Sequence, residues 1–429
     1  MDRQPQLLFL AYYFPPVSTI ACIRTWNMAT YLQGLGWDVT VVTPHPSVWR
    51  QVNQAVADDG SPREEDFHRL LTGHSWRCLS PDYLGSWDRS IGWLAGGVCR
   101  GIARHLSIER EIGWYKAAQQ TLASLTPDHA DVILATGSPF LAFRLAQELS
   151  ERLGRPYVMD YRDLWTGNLH LARTVRASTI REEARLLAGS AAVTVVSPSW
   201  GAILDQKFGV GAKLHVVSNG YAPDEMQQVE PYDFDHFAIV YTGAFYPPKR
   251  VITPVMAALK HLQDAAEAPL PEWRFHYYGH FDAHVDAMAR QFGVRDRVIL
   301  HGNLPRSEVL SAVQGAGVSV VITSVTEAFS LVDNGMITGK MFEALGLDTP
   351  VMLIAPPGSD AAALVDATKA GRGFLASETR DMADFLRTLM AGTELQMDGV
   401  SAYAWPHLAQ SLDVVLHEAM GKRIVTRAV

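Results

Sequence analysis

Cysteine is scarce in this chain. Cys22, Cys78 and Cys99 are its only cysteines, and their spacing matches neither a metal site nor a disulfide framework. The opening residues 1–5 lead into a strand-like run rather than a signal peptide, so a reducing, cytoplasmic location is expected.

Long apolar runs and an excess of positive charge are also missing. No run reaches the roughly 18 to 20 residues needed to cross a bilayer, so no membrane span is predicted. The net charge of −8 argues against an extended nucleic-acid surface but is compatible with a local basic cleft. With 429 residues, 48% of them hydrophobic, the chain has enough apolar material for two or more domains.

Strand and helix patterns alternate along the chain in two successive series. The first series predicts strands at 7–14, 37–43, 131–136, 156–161, 192–197 and 214–218, with helices at 23–35, 141–153, 176–188 and 199–208. The second predicts strands at 237–243, 275–278, 298–301, 318–322, 351–354 and 373–375, with helices between them. This alternation predicts an α/β protein with two doubly wound parallel sheets that face each other across a cleft.

A polar, proline-bearing stretch from Pro223 to His236 interrupts the alternation. The apolar side of a last predicted helix, at 407–420, is expected to return to the first domain. The predicted division is an N-terminal domain at 1–222, a linker at 223–236, a second domain at 237–405 and a returning helical segment at 406–429.

The stretch from Gly335 to Leu345 carries the strongest chemical signal. Glycines open a short helix whose first turn offers unpaired backbone N–H groups and Lys340, with Glu343 one turn later. Such a helix N-terminus can hold a phosphate group, and the carboxylate can accept hydrogen bonds from ribose hydroxyls. The stretch therefore predicts a site for a phosphate ester of a sugar or nucleoside. An exposed lysine and an ordinary helix-face glutamate are the alternatives, because the full phosphate-loop spacing is absent.

Other pieces of sequence occur in a recognisable order. They are Tyr12–Pro16 with Arg24, Gly36–Pro44, Asp160–Trp165, Ser218–Tyr221, Tyr241–Gly243, His301–Asn303 and Thr338–Glu343. With these pieces the chain resembles a glycosyltransferase of the two-domain GT-B fold, close to glycosyltransferase family 4 and to a bacterial subgroup of it.

The resemblance implies a retaining transfer of a sugar from a nucleoside-diphosphate sugar to a glycan, a lipid-linked saccharide or a natural product. It implies no cofactor and no metal, and no Asp-x-Asp motif lies in a suitable loop. Side chains must then stabilise the charge that grows on the departing pyrophosphate. Lys249 and Arg250 are the implied catalytic cations; as an alternative they would be a solvated helix start, where cations oppose the helix dipole.

The resemblance also assigns binding residues. Donor binding is implied for Gly302, Asn303, Leu304, Gly335, Met336, Thr338, Gly339, Lys340 and Glu343, and the acceptor side for Arg24, Ser138, Arg162 and Asp163. Three alternatives stay open. The loop 302–304 suits a plain turn, Arg162 and Asp163 could pair to order their own loop, and Arg24 could cap a carbonyl instead of facing the donor phosphates.

The chain departs from the family pattern at three places. Gly335 stands where many members have the first of two glutamates, so the backbone amides of Gly335 and Met336 are expected to take over its sugar contact. The segment 136–139 stands where relatives place a histidine, and 18–21 replaces a glycine pair. The donor sugar and the acceptor therefore stay open.

A basic, partly apolar segment at 89–105 could rest on an anionic membrane, as suits a lipid-linked acceptor. Its four glycines favour an inserted lid or core segment instead. Two other functions are considered: a nucleotide-sugar epimerase of the GT-B fold, which would need a carboxylate pair and a histidine in the cleft, and a sugar-nucleotide-binding protein without turnover.

Overall fold

The computed structural model describes residues 3–15, 17, 20–45, 77–79, 111–167, 176–264 and 270–421. They form two parallel β-sheets flanked by helices. The first sheet contains β1 (Gln6–Leu10), β2 (Asp38–Val42), β3 (Arg77–Leu79), β4 (Val132–Gly137), β5 (Tyr157–Tyr161), β6 (Ala192–Val195) and β7 (Leu214–Val216). The second contains β8 (Phe237–Thr242), β9 (Trp273–Tyr278), β10 (Val298–Leu300), β11 (Val318–Ile322), β12 (Val351–Ile354) and β13 (Gly371–Phe374).

Helices connect these strands. In the first half they are α1 (Ile20–Gly34), α2 (Ile112–Thr121), α3 (Leu141–Leu153), α4 (Ala177–Gly189), α5 (Pro198–Phe208) and α6 (Pro223–Met226). In the second they are α7 (Thr253–Asp264), α8 (Asp282–Gln291), α9 (Arg306–Gln314), α10 (Leu331–Asn334), α11 (Gly339–Gly346), α12 (Asp360–Thr368), α13 (Thr379–Met390) and α14 (Trp405–Ala419).

Both sheets are doubly wound. The strand order is β3-β2-β1-β4-β5-β6-β7 in the first and β10-β9-β8-β11-β12-β13 in the second, so the winding reverses between β1 and β4 and between β8 and β11. The predicted fold is confirmed. In such sheets ligands bind beyond the carboxyl ends of the strands at the point of reversal. The loops after these four strands are therefore where a site is expected.

Burial explains why these segments become parallel strands. Every residue of β4 and β5 is buried, as expected for central strands that helices cover on both faces. Helix α13 instead presents one apolar side, and its buried residues Met382, Phe385, Leu386 and Leu389 join the core of the second sheet.

The chain crosses between the sheets in two adjacent segments. The first sheet ends at Val216, the second begins at Phe237, and the predicted linker lies within the stretch between them. The amide of Tyr221 donates to the carbonyl of Tyr403 at 3.1 Å, and the amide of Trp405 donates to the carbonyl of Tyr221 at 2.9 Å. Helix α14 then packs against α1, with Leu412 and Leu416 in the core under the first sheet.

Some elements were not predicted, and one of them is the short helix α6, which lies inside the predicted linker. Strand β3 and helix α2 fall in a stretch whose apolar residues show no regular period. The segment 89–105 lies outside the described residues. In the part of the chain that the structure describes, no helix is long and apolar enough to cross a membrane.

Candidate active site

A cavity of about 1010 Å³ opens between the two sheets at their points of reversal. Loops from both sheets line it, together with both crossing segments. The predicted site residues in its lining are Arg24, Ser138, Arg162, Asp163, Lys249, Arg250, Met336, Thr338, Gly339, Lys340 and Glu343. Gly302, Asn303, Leu304 and Gly335 are not part of the lining.

Polar atoms in the lining have unmet hydrogen-bonding capacity. Among the described residues, four lining side chains have a buried polar atom without a partner: Arg250 Nε, Thr323 Oγ1, Thr338 Oγ1 and Trp405 Nε1. Buried polar groups are costly when unpaired, so these atoms suit a polar ligand.

The N-terminus of α11 opens into this cavity. Thr338 precedes the helix in an extended conformation, and its side chain does not cap it. Within the described residues, the amides of Gly339 and Lys340 have no hydrogen-bond acceptor. The helix therefore presents unpaired donors and the positive end of its dipole to the cavity.

Lys340 extends from this helix across Gly243. A Cβ atom at Gly243 would lie 2.8 Å from Lys340 Nζ, and Gly243 has a φ of +94°. The backbone conformation therefore favours glycine there, and a larger residue would also displace the end of the Lys340 side chain. Burial lowers the pKa of Lys340, and the nearby charge of Arg250 lowers it further, while Glu343 opposes both effects.

Arg250 lies beside Lys340 without a carboxylate partner among the described residues. Its Nη2 is 3.1 Å from the sulfur of Met336, and its guanidinium lies 5.2 Å from the ring centroid of Tyr246. Lys249 differs, because its Nζ is 2.9 and 2.8 Å from the two carboxylate oxygens of buried Asp333. Arg250 and Lys340 are thus neighbouring cations whose charge no ion pair offsets in the described structure.

Glu343 has a partner that the sequence did not indicate. Arg306, the first residue of α9, donates to its Oε1. The same guanidinium bonds Glu225 through Nε at 3.1 Å. The periodicity of α9 gives no signal for this contact. The one signal in the sequence is that Arg306 lies in the first turn of a helix. A cation is unfavourable there, so its presence indicates an acidic partner.

On the first sheet, Arg24 is buried, and all three nitrogens of its guanidinium donate hydrogen bonds. Its Nε and Nη2 donate to Asp160 at 3.1 and 2.6 Å, and further donors reach the carbonyls of Ser218 at 2.8 Å and Val217 at 2.9 Å. Burial alone would raise the pKa of Asp160, but Arg24 and the hydroxyls of Thr136 and Thr194 hold it below its usual range. Of the two roles considered for Arg24, the structure shows the carbonyl cap.

Arg162 also binds carbonyl groups. It donates to Ala21 at 3.2 Å, to Gly137 at 3.1 Å and to Ser138, and it lies 4.9 Å from the ring centroid of Tyr13. No ion pair within 4 Å joins it to Asp163, another described residue, so the loop-ordering pair is not formed. Burial raises the pKa of Asp163 and the charge of Arg162 lowers it. Among the described residues, none hydrogen-bonds the Asp163 carboxylate.

Gly335 lies in a contact between the two halves. A Cβ atom there would be 2.2 Å from Cδ1 of Trp200 and 2.8 Å from the hydroxyl of Ser197, both from the first half. The amide of Gly335 donates to Leu331 at 3.1 Å and that of Met336 to Asp333 at 3.2 Å. Both amides are therefore already used, contrary to the expectation that they replace the missing glutamate at the sugar.

The loop 302–304 lies at the end of β10, outside the lining. Gly302 has a φ of +69°, and its carbonyl accepts from the amide of Gly279 at 2.8 Å. These features match the plain turn that was the alternative for this loop. The implied role of this loop in donor binding stays a prediction.

Comparison with known proteins agrees with this geometry. The family model of a glycosyl transferase 4-like domain matches residues 23–220. Among solved structures, sucrose-phosphate synthase from Thermosynechococcus elongatus is similar over 97% of this chain and 96% of its own, with a TM-score of 0.59 and 14% identity. A glycosyltransferase from Rickettsia africae is similar over 98% and 100%, with a TM-score of 0.59 and 10% identity.

A third similar structure is HepE from Anabaena in complex with UDP and glucose. It covers 97% of this chain and 96% of its own, with a TM-score of 0.56 and 14% identity. At such identities the likeness establishes the fold. Among curated proteins no sequence match was found.

Two facing doubly wound sheets with a cationic cavity between them define the GT-B class of protein. The match over residues 23–220, just under half of the chain, together with the shared fold confirms the predicted resemblance to glycosyltransferase family 4 and supports a transferase enzyme. Among the described residues, no group of three His, Cys, Asp or Glu side chains could hold a metal ion. Independence from metals stays a prediction.

Proposed function

We propose that this protein is a retaining glycosyltransferase that moves a sugar from a nucleoside-diphosphate sugar to a hydroxyl-bearing acceptor. The observation that carries the proposal is the pairing of Arg250 and Lys340 beside the open N-terminus of α11. Two cations without an ion pair in the described structure, together with unpaired amides, suit the two charges of a pyrophosphate.

These groups would act on the leaving group. As the bond to the sugar breaks, negative charge grows on the pyrophosphate, and donors held in place stabilise it without reorganising. Arg250 and Lys340 would contact the phosphates directly. Lys249 is paired with Asp333, so its charge is offset and it would contribute less to this stabilisation.

The nucleoside would lie next to Glu343. Arg306 binds Oε1 of this carboxylate, and Oε2 has no partner among the described residues, so it can accept from ribose hydroxyls. Similar structures support a nucleotide-sugar donor, because HepE is described with UDP and also with UDP-glucose.

The acceptor would approach from the first sheet. Asp163 lines that side of the cavity, and its carboxylate, which no other described residue hydrogen-bonds, can accept a hydrogen bond from an acceptor hydroxyl. In a retaining transfer the departing phosphate can itself take the acceptor proton, so no separate general base is assigned. Cytoplasmic location and membrane contact through 89–105 stay predictions.

The epimerase alternative gains no support from the cavity. Its lining, within the described part of the chain, contains no histidine to accompany Asp163, Glu225 and Glu343. A binding protein without turnover is a second candidate, because Trp200 lies where a side chain at 335 would be.

Acceptor-dependent release of nucleoside diphosphate tests all three functions. Purified protein would be incubated with UDP-, GDP- and dTDP-sugars, with and without a panel of saccharide acceptors. A transferase releases nucleoside diphosphate only when acceptor is present, an epimerase changes the sugar without release, and a binding protein does neither. Proton NMR of the product then shows whether the anomeric configuration is kept, and inversion would contradict retention.

A further inference from the structure

We infer that Arg306 is a positioning residue that holds the Glu343 carboxylate by one oxygen and so turns the other toward the ribose of the donor. The inference rests on the proposed function, because it assigns a role within the nucleoside part of that site. Arg306 was not among the residues that the sequence pointed to.

The geometry places one guanidinium between two carboxylates. Arg306 Nη1 bonds Oε1 of Glu343, while Nε and Nη2 lie 3.1 and 3.4 Å from the two oxygens of Glu225. The three side chains come from α9, α11 and α6, and all line the cavity. A planar guanidinium can bind two carboxylates along different edges, which the single ammonium of a lysine does less well.

Burial explains why Glu343 needs this partner. Its side chain is 16% exposed, against 44% for Glu225, so its charge is the more poorly hydrated of the two. Arg306 compensates that charge at Oε1 and leaves Oε2 without a bonded partner among the described residues. Without Arg306, two carboxylates would face each other, and their repulsion would favour a rotation of Glu343 away from the ribose.

Helix electrostatics point the same way. Arg306 is the first residue of its helix and follows Pro305, so its charge lies at the positive end of the dipole. A cation there is unfavourable unless partners offset it, and both partners lie in the proposed nucleotide site or beside it. Arg306 would therefore act on the nucleotide through Glu343.

A double-mutant cycle on donor binding tests this role. Calorimetry would measure the affinity of UDP, and of GDP and dTDP in parallel, for the parent chain, Arg306→Ala, Glu343→Ala and the double variant. We expect each single substitution to weaken binding by about 10-fold or more. Glu343→Ala removes the carboxylate that would bond the ribose, and Arg306→Ala removes the charge-assisted hydrogen bond that holds this carboxylate in place. Adding Arg306→Ala to Glu343→Ala should cost less than about 2-fold further, because the two residues act as one unit.

Two controls separate positioning from a structural role. Glu225→Ala should keep affinity within about 2-fold of the parent, because Arg306 then still holds Glu343. Arg297→Ala removes an arginine that pairs with Glu272 outside the cavity, and it should bind as the parent does. If Arg306→Ala is poorly folded by thermal unfolding, Arg306→Met takes its place, because it keeps much of the side-chain length but has no donor for Glu343.

Distinct results overturn the inference and the proposed function. If the loss from Arg306→Ala persists in the Glu343→Ala background, or if Glu225→Ala loses as much affinity, Arg306 does not act through Glu343. If the parent chain binds none of UDP, GDP and dTDP, the proposed function fails and the inference fails with it.

Discussion

At the scale of single residues, the cavity is organised by which charged side chains already have a partner. Arg24 and Arg162 are bonded to carbonyl groups or to Asp160, and Lys249 is bonded to Asp333. Arg250 and Lys340 have no ion pair in the described structure, although both are half-buried. The desolvation of these two cations is a cost that a bound pyrophosphate would recover.

Arg250→Ala should therefore lower kcat as well as donor affinity. If the guanidinium stabilises charge that develops on the leaving group, its loss should reduce kcat by about 10²- to 10³-fold, as for other donors placed at a developing anion. Steady-state kinetics with the best donor would measure this. The matched control is Arg290→Ala, because Arg290 pairs with Asp286 on an exposed helix face. A rise in KM alone would show that Arg250 binds donor and transition state equally.

If Lys340 contacts the donor phosphates as proposed, donor binding should depend on pH. Burial, and next the charge of Arg250, lower its pKa from the ordinary 10.5 for lysine, so it loses its proton at a lower pH than an exposed lysine does. The cation is present below that lowered pKa and is lost as the pH rises through it. Calorimetric affinity for UDP should thus fall on the alkaline side before free lysines titrate.

Replacement of Lys340 should abolish that alkaline decline. Lys340→Met is expected to bind UDP weakly at every pH, with a flatter profile above neutrality. Lys260→Met changes an exposed lysine that pairs with Asp264 and should leave the parent profile intact. An unchanged slope in Lys340→Met would assign the decline to another group.

At the scale of elements, α5 and α10 form the contact that determines what can stand at position 335. Trp200 on α5 donates its indole N–H to the carbonyl of Val332 at 2.9 Å and lies against Gly335. The glutamate that relatives often carry there would meet this indole. The missing carboxylate is thus linked to how the two halves pack together.

Gly335→Ala should weaken this contact. The added methyl group would lie 2.2 Å from the indole in the present arrangement, so the helices must separate or the indole must turn, at a cost of about 1–3 kcal/mol. Chemical denaturation would measure the loss in the free energy of unfolding. Trp200→Ala combined with Gly335→Ala should cost less than the sum of the single changes. Strict additivity would contradict the proposed steric coupling.

At the scale of the whole molecule, the groups proposed to bind donor and acceptor lie on separate sheets joined by two crossing segments. The segments at 221 and 403–405 are hydrogen-bonded to each other, so they can bend as one hinge. Away from the hinge, Ser199 meets Asp360 with its amide and its hydroxyl, each at 2.8 Å. Bending at this hinge would bring the two halves together, and such a closure would exclude water from the reacting sugar.

Nucleotide should therefore favour the closed arrangement. Small-angle scattering should show a smaller radius of gyration with saturating UDP or GDP than without it. Asp360→Ala removes the contact with Ser199 and should require more nucleotide for the same change. Asp381→Ala, an exposed acidic residue in the first turn of α13, is the control. Superimposable curves for the parent with and without bound nucleotide would refute nucleotide-driven closure.

The sequence by itself determined the two sheets and the position of α11, the proposed phosphate-binding helix. Apolar periodicity and turn residues are local properties, and they predicted strands such as β4, β8 and β12 to within about two residues. They also placed Lys340 and Glu343 one turn apart on α11, because that spacing follows from helix geometry alone. Local patterns failed only where they were weak, as at β3 and α2.

Only the tertiary structure decided which side chains are partners. Arg24 and Asp160 are 136 residues apart, Lys249 and Asp333 are 84 apart, and Arg306 and Glu343 are 37 apart. No periodicity encodes such pairs, since each depends on how separate loops meet at the ends of the strands. The exclusion of a side chain at 335 likewise depends on the packing of two separate helices, because its cause is Trp200 from the opposite half of the chain.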